Sequence, residues 1–250
     1  MADSLSKKRG GGKRAKPKRR ARARSATPQS SNLYHSGPMI DCAAALEEAS
    51  ARLLALDPEV VGRLLAVGGP PPLRRREPSF AGLAAIIVSQ QVSVASADAI
   101  FRRLETELAP LGAASVAAAD EAALKRCGLS QPKMRALRAL AEATAGGLDL
   151  EALGALEARQ AHDALIAVTG IGPWTADLFL LFCLGHPDAF PAGDLALQEA
   201  ARIALGLARR PDARRLERIA ERWRPLRGVA ARMLWAYYRA VKQREGVAGR

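Results

Sequence analysis

Cysteine is scarce in this chain, and the three present, Cys42, Cys127 and Cys183, stand far apart. No CxxC pair occurs, and His35, His162 and His186 form no ligand-spaced set. That argues against zinc and against a cysteine-bound iron–sulfur cluster, and it fits a reducing compartment. No run approaches the roughly 18 consecutive apolar residues of a membrane span, and the N-terminus is basic rather than apolar, so the chain reads as a soluble protein without a secretory signal. β-Branched alternation is also rare. The best strand candidate, "AAIIV" at 84–88, is short and sits in an Ala-rich context, and it reads as a buried helix. No internal repeat of about 20 to 50 residues stands out. Aromatics make up 4% of the chain, so each tryptophan stands out.

Acid is missing from the first 24 residues except at Asp3, whereas residues 7–24 hold 11 of the 38 lysines and arginines. The net charge of +13 therefore divides into +10 on residues 1–24 and +3 on the rest. Such a composition predicts a disordered basic tail over 1–37, drawn to nucleic acid by counterion release without reading sequence. An anionic membrane surface fits less well, since no apolar anchor accompanies the charge, and import into an organelle stays open because transit peptides share this composition. A cytoplasmic, nucleoid-associated address is the expectation, with organelle or nucleus left open.

With 250 residues and 49% apolar content, the chain is large enough to bury a core. From Met39 onward it is rich in Ala, Leu, Arg and Glu at helical spacing. Breakers predict helices over 41–56, a short one to 67, then 79–90, 93–109, 117–126, 131–146, 160–168, 173–184, 194–206, 212–223 and 227–243. Pro132 and Pro173 suit first helical turns, and Gly128 and Gly206 suit C-terminal stops. The fold class expected is all-α.

Two stretches carry chemistry. In "VTGIGPW" (168–174), Gly170 and Gly172 permit positive φ and close approach of backbone to another molecule, and Pro173 starts a helix whose free N–H groups suit an anion. A plain helix–helix connection fits the same residues. In "FPAGD" (190–194), Asp194 precedes an apolar helical pattern, where an N-cap alone would explain it.

Together, hairpin and aspartate resemble the helix-hairpin-helix DNA glycosylase superfamily, the HhH-GPD group. "IIVSQQVSVASADAIF" (86–101), "CGLSQPKMRALRALAEA" (127–143) and "ERWRPLRGVAARMLWAYY" (221–238) look like successive motifs of its 3-methyladenine DNA glycosylase II (AlkA-like) branch. The resemblance covers most of residues 78–240. It implies two helical subdomains within 38–250, one of central helices at about 85–190 and one from about 38–84 plus 191–245, with the active-site cleft between them. Nothing before residue 78 looks like the additional β-rich domain of some relatives, so the compact form is expected.

The resemblance also implies roles. Asp194 would be catalytic. Trp174, Trp235, Leu178 and Leu195 would form the base pocket, the two leucines standing where some relatives carry tyrosines. Gln91, with Gln90 beside it, would be the wedge that fills the gap left by a flipped base. Gly170, Gly172, Thr175 and Lys133 would bind DNA phosphate. The carbonyls of Val168 and Ile171 are candidates to hold a monovalent cation, and no other cofactor is implied.

The implied partner is double-stranded DNA with damaged bases, met as a monomer. The implied reaction is hydrolysis of the N-glycosidic bond of alkylated purines of the 3-methyladenine and 7-methylguanine type. In strand-cutting relatives a lysine stands at the place of Trp174, so no lyase step is expected. A non-catalytic DNA-binding module, and an enzyme acting on etheno- or oxidised purines, are the alternatives.

Overall fold

The computed structural model describes residues 38–248, with side chains described through residue 244. The basic stretch at 7–24 lies outside the described residues. Every regular element described is helical. In chain order these are α1 (Ala43–Leu56), α2 (Pro58–Gly68), α3 (Phe80–Ser89), α4 (Val94–Glu107), α5 (Ala113–Ala118), α6 (Glu121–Arg126), α7 (Gln131–Ala145), α8 (Ala158–Ile166), α9 (Pro173–Phe179), α10 (Leu195–Ala204), α11 (Ala213–Ala220) and α12 (Arg227–Ala248). Short 3-10 turns cover Ala152–Ala155 and Glu221–Trp223, and a π-helical turn, Leu180–Leu184, extends α9.

Local chemistry sets the starts. Asp57, Ser79, Ser93, Asp120, Asp194 and Asp212 each accept a hydrogen bond from a first-turn N–H, satisfying a donor the helix itself cannot. The cap at Asp120, whose Oδ1 lies 2.6 Å from the Ala123 nitrogen, corrects the single helix expected over 117–126. Two short helices, α5 and α6, meet there instead. "AAIIV" is helical and buried from Ala84 to Val88, inside α3.

The apolar faces close into two core clusters. One gathers buried residues between Phe80 and Ala189, including Leu83, Ile87, Leu137, Leu165 and Phe179. The other joins Ile40–Leu64 to Phe190–Tyr237, with Leu53, Leu197, Trp223 and Leu234 at its centre. Trp235 packs against both. The chain passes from one cluster to the other through "HPDAFPA" (186–192), which is buried throughout.

A buried loop must satisfy its polar groups internally, and this one does. Asp188, fully buried, accepts from the backbone N–H of Arg227 and from its guanidinium at 2.7 Å, while Arg224 is a second charged partner at 3.5 Å. The Gly228 nitrogen donates to the Pro187 carbonyl at 2.8 Å, and the Gln198 amide donates to the Ala192 carbonyl at 2.9 Å. These bonds fix the segment that leads into Asp194 against the starts of α10 and α12.

Candidate active site

Asp194 caps α10, and it does more than cap. Its Oδ1 accepts from the Leu197 backbone N–H at 2.9 Å and from the Trp235 indole at 3.1 Å. Its Oδ2 accepts from the Trp174 indole at 3.0 Å. An N-cap needs only the first of these. Two tryptophans, from α9 and α12, hold the carboxylate in one orientation through charge-assisted bonds, the kind of pre-organisation an electrostatic catalyst requires. Asp194 stays half-buried, so the carboxylate remains reachable.

The base-pocket residues expected around it separate in space. Trp174 and Trp235 meet at Asp194 through their indole nitrogens, and Trp235 also stacks on Phe182, centroids 5.6 Å apart. Leu178 is 7% exposed, and with Phe182 it lines a cavity of about 900 Å³ bounded by α3, α4 and the loop at Arg74–Arg76. Leu195, by contrast, is 62% exposed as the first residue of α10. Sequence reasoning missed Phe182. Its spacing of four and eight residues from Leu178 and Trp174 puts all three on one face of a helix, which was the available signal.

The turn between α3 and α4 carries the expected wedge. Gln91 is exposed and adopts φ +56°, an uncommon conformation for a residue with a side chain. Gln90 is occupied differently: its amide donates to the Thr175 Oγ1 at 2.9 Å, tying this turn to α9. That bond corrects the phosphate contact expected of Thr175, which is only 2% exposed. Lys133 is corrected in the same way. It is 6% exposed, and its Nζ donates to the Val88 carbonyl at 2.7 Å, supporting the end of α3 rather than facing solvent. Burial lowers its pKa from the ordinary lysine value.

The two hairpin glycines differ. Gly170 has φ +87°, and a Cβ there would lie 2.6 Å from the Cβ of Ala136, so packing against α7 requires glycine. Gly172 is exposed, has φ −95° and would give a Cβ open space. Its bareness leaves backbone open to another molecule. Ile171, buried, donates its N–H to the Val168 carbonyl at 3.0 Å and closes the turn.

A helical hairpin with a bare glycine, an exposed turn at Gln91 and an aspartate held by two indoles are the parts a helix-hairpin-helix base excision protein uses. The chain belongs to the HhH-GPD superfamily of base excision DNA repair proteins, whose family model matches residues 84–225.

Particular relatives narrow the comparison. DNA-3-methyladenine glycosylase 1 of Schizosaccharomyces pombe is 30% identical over 199 residues, 76% of this chain and 86% of that protein. The solved structure of the S. pombe 3-methyladenine DNA glycosylase Mag1 in complex with abasic DNA superposes with a TM-score of 0.69 at 30% identity, covering 75% of this chain and 95% of that one. DNA-3-methyladenine glycosidase from Bacillus halodurans gives a TM-score of 0.66 at 28% identity, covering 82% and 94%.

Proposed function

We propose that this protein is a monofunctional DNA glycosylase that removes alkylated purines from duplex DNA and acts as a monomer. The observation that carries the proposal is the carboxylate of Asp194, held by the two indole N–H groups and the start of α10 at one fixed place. The names of the relatives, 3-methyladenine glycosylases, support the substrate class.

The chemistry follows from charge. Alkylation at N3 or N7 makes a purine cationic and therefore a good leaving group, so the protein has little need of an acid to protonate it. Its task is to stabilise the oxocarbenium-like sugar left behind and to place water beside it. An oriented carboxylate serves that need electrostatically. Flipping the base costs a few kcal/mol, least at damaged pairs, and Gln91 at its projecting turn fills the gap. The bare Gly172 backbone and the start of α9 meet a phosphate without reading sequence.

Trp174 supports the absence of a lyase step, because an indole cannot form the Schiff base that a lysine forms with the sugar. The buried lysine of this region, Lys133, has its ammonium committed to the Val88 carbonyl. At the hairpin, the Val168 carbonyl keeps a lone pair beyond the one bonded to Ile171, and an oxygen ligand of this type, with the Ile171 carbonyl, suits a monovalent cation. We assign no step of the reaction to such an ion.

The test is base release from methylated duplex DNA. Wild type is expected to release methylated purines and to leave an intact strand, with no covalent adduct trapped by borohydride. Asp194→Asn is expected to lose release by about 100-fold or more. No release by wild type, or full activity in Asp194→Asn, sinks the proposal; a trapped adduct sinks its monofunctional part.

A further inference from the structure

The loop between α2 and α3, "PPPLRRREP" (70–78), places Arg74, Arg75 and Arg76 along the cavity that Leu178 and Phe182 also line. All three arginines are exposed. The Arg76 backbone N–H donates to the Phe182 carbonyl at 3.0 Å, so the loop is pinned to the π-helical turn rather than hanging free. Arg75 packs against Gly185, where an added Cβ would come within 2.6 Å of its guanidinium.

Behind the loop, Arg232 of α12 is 3% exposed. It donates to the carbonyls of Leu73 and Leu181, and its guanidinium lies 4.8 Å from the centroid of the Phe182 ring. Its buried Nε has no hydrogen-bond partner. Arg239, exposed on the same helix, is near enough to act on Arg74.

No acid offsets this cluster. Among the described residues, no carboxylate forms an ion pair with Arg74, Arg75, Arg76, Arg232 or Arg239. Glu77 continues the loop and Asp98 lines the cavity, yet the carboxylate of neither forms an ion pair. The repulsion is felt within the cluster: after burial, the charges of Arg239 and Arg76 lower the pKa of Arg74, and those of Arg75 and Arg74 contribute to lowering that of Arg232 to about 10. Like charges held together on a pinned loop call for an anion. Exposed guanidinium forks match the paired oxygens of a phosphate, so a phosphate is the anion that fits.

We propose that Arg74 and Arg76, backed by Arg239, bind a DNA backbone phosphodiester on the strand whose nucleotide enters the adjoining cavity. This would be a second phosphate contact, made by a segment of chain separate from the hairpin. The nucleotide in the cavity rests on the glycosylase reading; the phosphate contact is measured by binding alone.

The experiment uses the full chain and a duplex carrying a tetrahydrofuran abasic-site analogue, with affinity measured across salt concentration. Arg74→Gln/Arg76→Gln is expected to bind roughly tenfold more weakly near physiological salt and to lower the salt slope by about one. Arg74→Lys/Arg76→Lys is expected to keep most of the slope, since charge rather than packing carries it. Duplexes with a single methylphosphonate, moved along the lesion strand, then locate the contact. Neutralising the right phosphate weakens wild type and leaves the glutamine variant unchanged.

An unchanged slope, or methylphosphonate effects equal in both proteins, overturns the proposal. So does slower base release with intact binding, which would mean the loop shapes the cavity instead. Wild type that binds but releases no methylated base defeats the glycosylase reading and leaves this result readable.

Discussion

At the scale of single residues, Asp194 separates two functions that one carboxylate can serve. Asparagine is as good an N-cap as aspartate, so Asp194→Asn should keep the cap of α10, giving up only the bond from the Trp174 indole, while losing base release. Asp194→Ala should lose both, with a stability cost of about 1 kcal/mol seen in the denaturant midpoint. Trp235 allows a finer test. Trp235→Phe keeps an aromatic ring against Phe182 but removes the N–H that Oδ1 accepts. Single-turnover base release should fall about tenfold, equivalent to about 1.4 kcal/mol, because the carboxylate loses one of its orienting donors. An undiminished rate would show that Trp174 and the helix start suffice.

At the scale of elements, the hairpin makes opposite demands on its two glycines. Gly170→Ala adds a Cβ against Ala136 at φ +87°, so the variant should be destabilised by about 1–3 kcal/mol in urea unfolding. Gly172→Ala meets open space at an ordinary φ and should leave stability within about 0.5 kcal/mol. Its effect should appear in affinity for duplex DNA, because the methyl stands where backbone would approach phosphate. Equal affinity in Gly172→Ala and wild type would remove the hairpin from the interface. The glycine spacing was legible in the chain, but not which glycine serves packing and which serves access. That division depends on α7, whose Ala136 is 34 residues away from Gly170.

At the scale of the whole molecule, stability depends on the buried segment that joins the two core clusters. His186, 4% exposed there, accepts the Asp188 backbone N–H through Nδ1 at 3.1 Å. Burial pushes its pKa down to about 4 from the usual 6.5 of a histidine, with Asp188 opposing the shift and Arg227 adding to it. The unfolded chain therefore binds the proton first. Stability contributed by neutral His186 is present above pH 6.5 and is lost as pH falls toward 4, by at most about 3 kcal/mol. Urea midpoints at pH 7.5 and 4.5 should show this loss in wild type and a smaller one in His186→Asn, whose amide oxygen can still accept the Asp188 N–H. Equal losses in the two proteins would assign the acid sensitivity to carboxylates elsewhere.

The sequence by itself determined the helical fold class, because apolar residues recur at helical spacing and Ser, Asp, Pro and Gly mark the ends of helices over short distances. It also carried the ordered motifs by which the chain resembles its superfamily, and it marked Asp194, since cap and candidate catalyst occupy one position. It could not say where side chains point across the fold. Lys133 and Thr175 looked like surface groups for phosphate, yet the tertiary structure turns them inward, to Val88 and Gln90. Phe182 and the loop at Arg74–Arg76 lie in separate stretches of sequence, and only folding brings them to one cavity. The physical reason is range. Caps and periodicity are settled within a few residues, whereas the indole donors on Asp194 come from positions 20 and 41 residues away and meet it only when the two core clusters close.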